Sequence, residues 1–369
     1  MEEKPQLVVS SPIDLVATVP YLLGIRPVES LVVVGVDDHK VNVVARMDLG
    51  VAAADLPMIQ TRLFQLGRPP DRRFIVMAYT VDPDGDACKA VLGTLQAFGE
   101  SRVGTIILVN GDKAEIDGDG VWRDVPDRYQ PAVEAGLADP LSDRSALAAT
   151  IAGPAPELAD SAEQWWRSAQ EQQHIEHTDA VEMAAIFIET AAHDGPLTGP
   201  FCALLARLVS DEDVRGAVLM SITDETAQQH VDVWRQVVQK VPDEAAPPVL
   251  GLLAVSAWIA REGVLQTCAL ERGLDIDPDH PLLKLALKIN QSALPPIEWE
   301  QLRSTILASR DEDGLADVTK LEDTMRLLST HRDRTVDTDI TETEHSPEPE
   351  PDPDPVFRMP APTVQSVAL

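Results

Sequence analysis

The spacing of hydrophobic and polar residues changes along the chain, and these changes predict where helices and strands lie. Residues 11–24 combine a serine that can cap a helix, a proline suited to the first helical position and a glycine suited to a helix end. Residues 30–36 and 41–49 are rich in β-branched residues and are separated by a polar tetrad. We therefore expect a helix followed by a β-hairpin.

The next segments alternate between helix-like and strand-like spacing. Apolar residues recur at helical intervals in 55–66 and 87–98, whereas 74–81 and 103–110 are nearly continuous apolar runs. Two such runs joined by a helix are typical of a parallel pair of strands that is buried on both faces.

The pattern divides the chain into four parts. Asp-Gly turns in 114–125 predict a second hairpin, so residues 1–125 are expected to form an α/β domain, a mixed sheet with flanking helices. Residues 126–156 are rich in Pro, Gly and Asp and are predicted to be a linker. Residues 157–330 show helical spacing throughout and predict an all-α domain. Residues 331–369 contain an alternation of proline with acidic residues and are predicted to be a disordered tail.

The charge of the chain narrows the range of partners. Thirty Lys and Arg residues stand against sixty-one Asp and Glu residues, a formal net charge of −31. An acidic protein repels phosphate backbones and anionic lipids, so we expect no direct binding to nucleic acid and no membrane association. We favour a protein partner, and a basic surface on that partner would be attracted electrostatically. The longest apolar run, at 249–260, is too short to cross a bilayer, and we expect a cytoplasmic protein.

The motifs that usually hold cofactors or metals are absent from the sequence. It contains no glycine-rich phosphate loop, and its cysteines, Cys88, Cys202 and Cys268, form no CxxC pair. His174 and His177 lie one helical turn apart and could bind a metal, but a solvated helix face explains them better. We therefore predict no cofactor and no metal site, and we favour a protein that is not an enzyme.

One polar group in the first domain has the chemistry of a ligand site. Arg46 and Asp48 lie two residues apart on one side of a predicted strand, where they could orient an anion, pair with each other or face water. Further polar residues follow strand ends, and open α/β sheets bind ligands at the carboxyl ends of their strands. The candidate ligand-binding residues are Arg26, Ser30, Arg46, Asp48, Thr80, Asp82 and Asn110.

Two stretches resemble an uncharacterised, largely actinobacterial family, domain of unknown function 4192 (DUF4192). The opening stretch is SPIDLVATVPYLLGIRPVESLVVVG at 11–35 with VARMDLG at 44–50, and the closing stretch is ALERGLDIDPDHPL at 269–282, followed by Trp299. The resemblance covers roughly residues 10–300 and implies no known activity. Many members carry a cysteine-rich stretch that this chain lacks.

The closing stretch also resembles the end of a tetratricopeptide-type repeat, so the all-α domain is expected to be partly tetratricopeptide-like. The leading hypothesis is a non-enzymatic intracellular protein-binding or scaffold protein. The alternative is a small-molecule or nucleotide-binding enzyme, with its site at the carboxyl edge of the first domain's sheet.

Overall fold

The computed structural model describes residues 7–37, 40–57, 59, 73–97, 103–172, 175–193, 195–292, 294–308, 357–359 and 365–368. A mixed sheet with flanking helices occupies the first part of the chain, and helices make up the described residues between 156 and 308. The expected succession of an α/β region and an all-α region is therefore present. Of the helix predicted at 55–66, positions 56, 57 and 59 are described and helical, and the remainder beyond them lies outside the described residues.

Six strands form the centre of the sheet. They are β2 (Ser30–Asp37), β3 (Lys40–Asp48), β4 (Arg73–Tyr79), β5 (Val103–Asn110), β6 (Lys113–Ile116) and β7 (Arg123–Asp124), after a short β1 (Leu7–Val9). Their order is β3-β2-β4-β5-β6-β7. The β4–β5 pair is parallel, as the sequence predicts, and the other neighbours are antiparallel.

The first helix, α1 (Pro12–Leu23), begins and ends as its sequence predicts. The Ser11 hydroxyl accepts a hydrogen bond from the Asp14 amide at 3.1 Å, which satisfies one of the free amides at the helix start. Gly24 adopts a left-handed conformation, with φ of 70°, and ends the helix. These local signals fix where α1 starts and stops.

The two faces of the sheet bury separate apolar clusters. On one face, valines such as Val32 and Val44 pack against α1 and join a cluster that continues into the helical region. On the other face, Val33 and Phe74 pack against α2 (Leu49–Ala54) and α3 (Asp86–Ala97). Every central position of β4 is therefore buried, which explains its nearly continuous apolar sequence.

The helical region follows two short helices, α4 (Gln130–Glu134) and α5 (Arg144–Ala149). It consists of α6 (Ala159–Gln170), α7 (His177–His193), α8 (Gly199–Ser210), α9 (Glu212–Ser221), α10 (Ala227–Val238), α11 (Ala246–Ile259), α12 (Gly263–Ile276), α13 (Pro281–Gln291) and α14 (Trp299–Ala308), with single 3₁₀ turns at Pro156–Leu158, Asp243–Ala245 and Pro296–Glu298. Helix α11 is buried along its whole length and contacts α8, α10, α12 and α13. It is the central helix of this region.

Tryptophans fill the spaces between these helices. The Trp258 and Trp299 rings meet edge to face with centroids 6.1 Å apart. Each indole N–H is satisfied, because Trp258 donates to the Leu294 carbonyl and Trp299 to the Ile222 carbonyl, both at 2.8 Å. Trp299, which follows the closing stretch of the family resemblance, is therefore a packing residue in this structure.

The segment predicted as a linker is held against the helical region. The Thr150 carbonyl accepts a hydrogen bond from the Gln239 amide at 2.6 Å, and the Thr150 hydroxyl accepts one from Arg235 at 3.1 Å. Arg272 also donates to the Ile151 carbonyl. This connection is therefore ordered and docked, because its polar backbone groups find fixed partners on the helices.

The tail differs in part from its prediction of disorder. Two of its segments, β8 (Phe357–Met359) and β9 (Gln365–Ala368), form strands in the structure. Strand β8 runs antiparallel to β1, and β9 runs parallel to β3. The physical reason is that β3 ends the row of six strands, where its free backbone groups can pair with a further strand. Residues 309–330 of the predicted all-α domain, and residues 331–356, 360–364 and 369 of the predicted tail, lie outside the described residues.

The tetratricopeptide-like character that we expected of the all-α domain is not confirmed. Helices α12 and α13 do contact each other across the Asp-Pro turn, but the described helices differ in length and spacing from one pair to the next. Among the described residues, each helix is too short or too polar to span a membrane.

Candidate functional site

The carboxyl edge of the sheet brings five of the predicted site residues together. Strand β2 begins there at Ser30, which pairs with Asp48 at the end of β3 and with Tyr79 at the end of β4. Arg46 pairs with Val32 and therefore points to the same face of the sheet as that valine. Thr80 and Asp82 continue directly from β4. The edge is thus built from three adjacent strand ends.

Arg46 is buried and makes two polar contacts inside this edge. Its side chain is only 8% exposed, while that of its partner Asp48 is 53% exposed. The guanidinium donates from Nε to the Ser30 hydroxyl at 3.0 Å and from a terminal nitrogen to the Asp48 carboxylate. Ser30 in turn donates to the Val28 carbonyl at 2.7 Å. The positive charge is therefore neutralised by a neighbour on the same strand.

Glu29 completes the edge, and sequence reasoning did not single it out. Its carboxylate accepts hydrogen bonds from the Val81 amide at 2.8 Å and the Thr80 hydroxyl at 3.1 Å, while its carbonyl accepts one from the Leu49 amide at 2.8 Å. Its backbone has a φ of 41°, a conformation that non-glycine residues rarely adopt. The Thr80 hydroxyl also accepts from the Asp82 amide at 3.1 Å. Glu29 thereby ties together three segments.

Two predicted site residues lie apart from this group. Arg26 forms an ion pair with Asp127 at 3.0 Å, and its amide donates to the Leu141 carbonyl at 2.9 Å. The structure therefore places Arg26 against the segment after the sheet, where it fastens that segment. Asn110 ends β5 at the same sheet edge and pairs with Lys113 across the tight turn into β6.

Residues from outside the sheet domain lie near Arg46. Arg144 on α5 forms an ion pair of 2.7 Å with Glu271 on α12. Burial lowers the pKa of the Arg144 guanidinium, but its hydrogen bond to Glu271 and the nearby Cys268 and Asp48 raise the pKa overall. Burial raises the pKa of the Cys268 thiol, and Arg144 opposes that shift. Arg46 thus sits at a junction of alternating charges between sheet and helices.

The loop after β4 is strongly acidic. Asp82, Asp84 and Asp86 follow one another at alternate positions and are exposed. Lys89 pairs with Asp84 at 3.2 Å, and the Asp84 side chain is 95% exposed. The pKa of the Cys88 thiol beneath this loop is raised by burial and then by the negative charges of Glu29, Asp82 and Asp84. The surface at this edge therefore carries a negative potential.

Three valines are exposed on the three segments that Glu29 connects. Val28 is 54% exposed, Val51 is 54% exposed and Val81 is 75% exposed. Val28 precedes Glu29 directly, Val81 is bonded to its carboxylate, and Val51 lies two positions beyond Leu49, whose amide binds its carbonyl. We call Val28, Val51 and Val81 the valine patch. Each of the three valines lies no more than two residues from Glu29 or from an amide that Glu29 binds.

Three cavities of the described region lie elsewhere. One of about 370 Å³ lies between α3 and β5, one of about 380 Å³ between α7 and the start of α9, and one of about 460 Å³ between α7 and α10. None of the predicted site residues lines these three cavities. They therefore give no support to a small-molecule pocket formed by Arg46 and Asp48.

A family model described as "Domain of unknown function (DUF4192)" matches residues 12–297. The chain belongs to this family. The match begins at the first residue of α1 and ends in the 3₁₀ turn before α14, so it covers both the sheet and most of the helices. The resemblance drawn from the opening and closing stretches is confirmed. Neither a curated protein nor a solved structure matches the chain.

The polar residues at the sheet edge lie within the matched part of the chain. Ser30, Arg46 and Asp48 lie within the stretches that carry the resemblance to DUF4192. In this structure they bind one another, so their first effect is to hold the ends of β2 and β3 together. Glu29 gave no signal in the sequence, because its importance follows from a backbone conformation that no local pattern encodes.

Proposed function

We propose that this DUF4192 protein is a non-enzymatic binding protein of the cytoplasm, and that the carboxyl edge of its sheet docks a protein partner with apolar and basic residues. The observation that carries the proposal is the valine patch, which places exposed apolar side chains on three segments that Glu29 holds together. Exposed apolar side chains grouped within a polar rim are typical of a protein-binding surface.

The polar groups of the edge support docking over small-ligand binding. Arg46 already binds Ser30 and Asp48, and Glu29 already binds Thr80 and Val81. A small anion would have to displace the half-exposed Asp48 carboxylate from the buried Arg46 guanidinium. Breaking that ion pair costs more free energy than the new contact with the anion would return. Satisfied polar groups instead give a rigid platform, and a rigid platform loses little entropy when a partner docks on it.

Charge complementarity indicates the chemistry of the partner. The valine patch lies beside the acidic loop of Asp82, Asp84 and Asp86, and Asp48 is half-exposed next to it. The whole chain has a net charge of −31. Lysines or arginines around an apolar contact on the partner would meet this rim, speed association and make binding sensitive to salt.

The second candidate function is small-molecule binding by an enzyme at the same edge. It is favoured by one observation, a buried arginine beside a half-exposed carboxylate at the carboxyl ends of strands. A thermal-shift screen with nucleotides and anionic metabolites tests it, because a ligand at 100 times its Kd raises stability by about 2.7 kcal/mol. A shift that Arg46→Ala abolishes would support this candidate over docking.

The experiment for the docking proposal is site-specific photo-crosslinking in cells of the source organism. A photoreactive phenylalanine derivative replaces Val81, and the matched control replaces Ile297, which is equally exposed at 76% but lies in the helical region. We expect one protein to crosslink from position 81 and to be absent from position 297. The same crosslinked proteins at both positions, or no discrete product from position 81, would contradict the proposal.

A further inference from the structure

The starts of two helices converge beside the cavity between α7 and α9. His177 is the first residue of α7, Asp211 caps α9, and Asp213 lies in the first turn of α9. One imidazole nitrogen and one oxygen from each carboxylate all lie within 4.8 Å of one another. All three side chains are exposed, so an ion can reach them from solvent. These residues lie far from the valine patch in the chain and on different elements.

One of the carboxylates is already held in place by the backbone. The Asp211 Oδ1 accepts hydrogen bonds from the Asp213 amide at 3.0 Å and the Val214 amide at 3.1 Å, as an N-cap does. Its Oδ2 is the oxygen left to face an ion. Ligand atoms around a four-coordinate zinc ion are about 3 to 3.5 Å apart, so the three donors must move closer together when an ion binds.

The cavity beside these side chains provides room for further ligands. Its volume is about 380 Å³, and its wall includes His177 and Asp211 together with Glu176 and Arg207. Arg207 points toward the Gln172 carbonyl at 3.5 Å. An ion held by His177, Asp211 and Asp213 would therefore keep a coordination position open toward this cavity.

We propose that His177, Asp211 and Asp213 form a binding site for a divalent transition-metal ion, with zinc as the ion that the mixed nitrogen and oxygen donors suit best. An imidazole selects transition metals over magnesium and calcium, and two carboxylates neutralise the charge of the ion. The bound ion joins the start of α7 to the start of α9. This site is independent of the docking edge and uses His177 without the neighbouring histidine of the sequence motif.

The test is isothermal titration of the full chain with Zn²⁺ alone. We expect one equivalent to bind in a distinct tight phase, and His177→Ala and Asp213→Ala each to weaken that phase at least tenfold. Asp211 is left unchanged because its loss would also uncap α9. The control is Glu182→Ala, which removes an exposed carboxylate from α7 and should leave the tight phase unchanged.

A second readout separates a real site from general attraction to an acidic protein. The imidazole nitrogen signals of His177 should shift with one equivalent of Zn²⁺ in the wild type and stay fixed in Asp213→Ala. A hundredfold excess of Mg²⁺ should leave the tight phase in place. Only weak uptake of many equivalents, a tight phase that both variants retain, or displacement of Zn²⁺ by Mg²⁺ would overturn the proposal.

Discussion

The Arg46 guanidinium donates a hydrogen bond to the Ser30 hydroxyl at 3.0 Å, and this bond joins the end of strand β3 to the first residue of its neighbour β2. Asp48 neutralises the same guanidinium from two positions further along β3. A buried charge is tolerated only when it is paired and hydrogen-bonded. The three residues therefore stabilise the carboxyl edge as a unit. Their substitution should lower the free energy of unfolding more than it lowers the affinity for a partner.

The first prediction concerns the partner of this buried arginine. Asp48→Asn leaves Arg46 buried without its counter-charge, so we expect the free energy of unfolding to fall by about 2 to 3 kcal/mol. This is below the cost for a fully buried pair, because Asp48 is half-exposed. Urea unfolding measures it. Asp84→Asn, at an almost fully exposed carboxylate, is the control and should change stability by less than about 0.5 kcal/mol.

The second prediction concerns the backbone of Glu29. Both Glu29→Ala and Glu29→Gly remove the carboxylate that binds Thr80 and Val81, so both should destabilise the protein. Glycine accepts a φ of 41° without strain, whereas alanine does not. We expect Glu29→Gly to be the more stable variant by about 1 kcal/mol in urea unfolding. Equal stability, or a more stable alanine variant, would show that this backbone conformation is unstrained.

Local sequence signals predicted most of the elements of the sheet domain. Ser11 and Gly24 bound α1, and the two apolar runs became the parallel pair β4–β5, because caps and strand periodicity act over a few residues. The order of the strands could not be predicted. Strand β2 lies between β3 and β4, and no local pattern specifies which non-consecutive strands become neighbours.

The candidate site was predictable only where its partners are close in sequence. Arg46 and Asp48 are two residues apart on one side of a strand, so their pairing was among the outcomes that the sequence predicted. Arg144 and Glu271 approach the same junction from distant parts of the chain, and only the folded structure brings them there. The division into separate domains stays a prediction, and the buried cluster of one sheet face continues into the helical region.

The third prediction is a pH dependence that comes from His230 on α10. The imidazole is 3% exposed, its Nδ1 has no hydrogen-bond partner among the described residues, and burial lowers its pKa to about 4. The unfolded chain therefore takes up a proton below about pH 6.5, while the folded protein does not. This contribution to stability is present above pH 6.5 and is lost as the pH falls toward 4.

The measurement for His230 is urea unfolding at pH 7 and pH 5. His230→Leu removes the titrating group, so we expect the variant to lose about 2 kcal/mol less than the wild type between these pH values. Acidic residues titrate in both proteins and cancel in this difference. If the two proteins lose equal stability on acidification, then His230 is protonated inside the folded protein.

The fourth prediction tests the packing of α6 on α8. A Cβ atom at Gly199 would lie 2.1 Å from the Trp165 ring, so Gly199→Ala must displace the indole, and we expect a loss of about 1 to 3 kcal/mol. Gly93 in α3 is the matched control, because it is an exposed helical glycine with open space around its Cβ position. Gly93→Ala should raise stability by about 0.5 to 1 kcal/mol. A neutral Gly199→Ala variant would show that Trp165 does not pack there.

The central claim is that the valine patch and its acidic rim dock a basic protein partner. Its most direct test begins with the partner that crosslinking identifies, purified in its free form. The affinity of this partner is then measured for the wild type, for Val81→Arg and for Ile297→Arg. We predict that Val81→Arg weakens binding at least tenfold, about 1.4 kcal/mol, that Ile297→Arg has no effect, and that salt weakens the wild-type complex. Equal affinities for the two variants, or binding that is indifferent to salt, would contradict the claim.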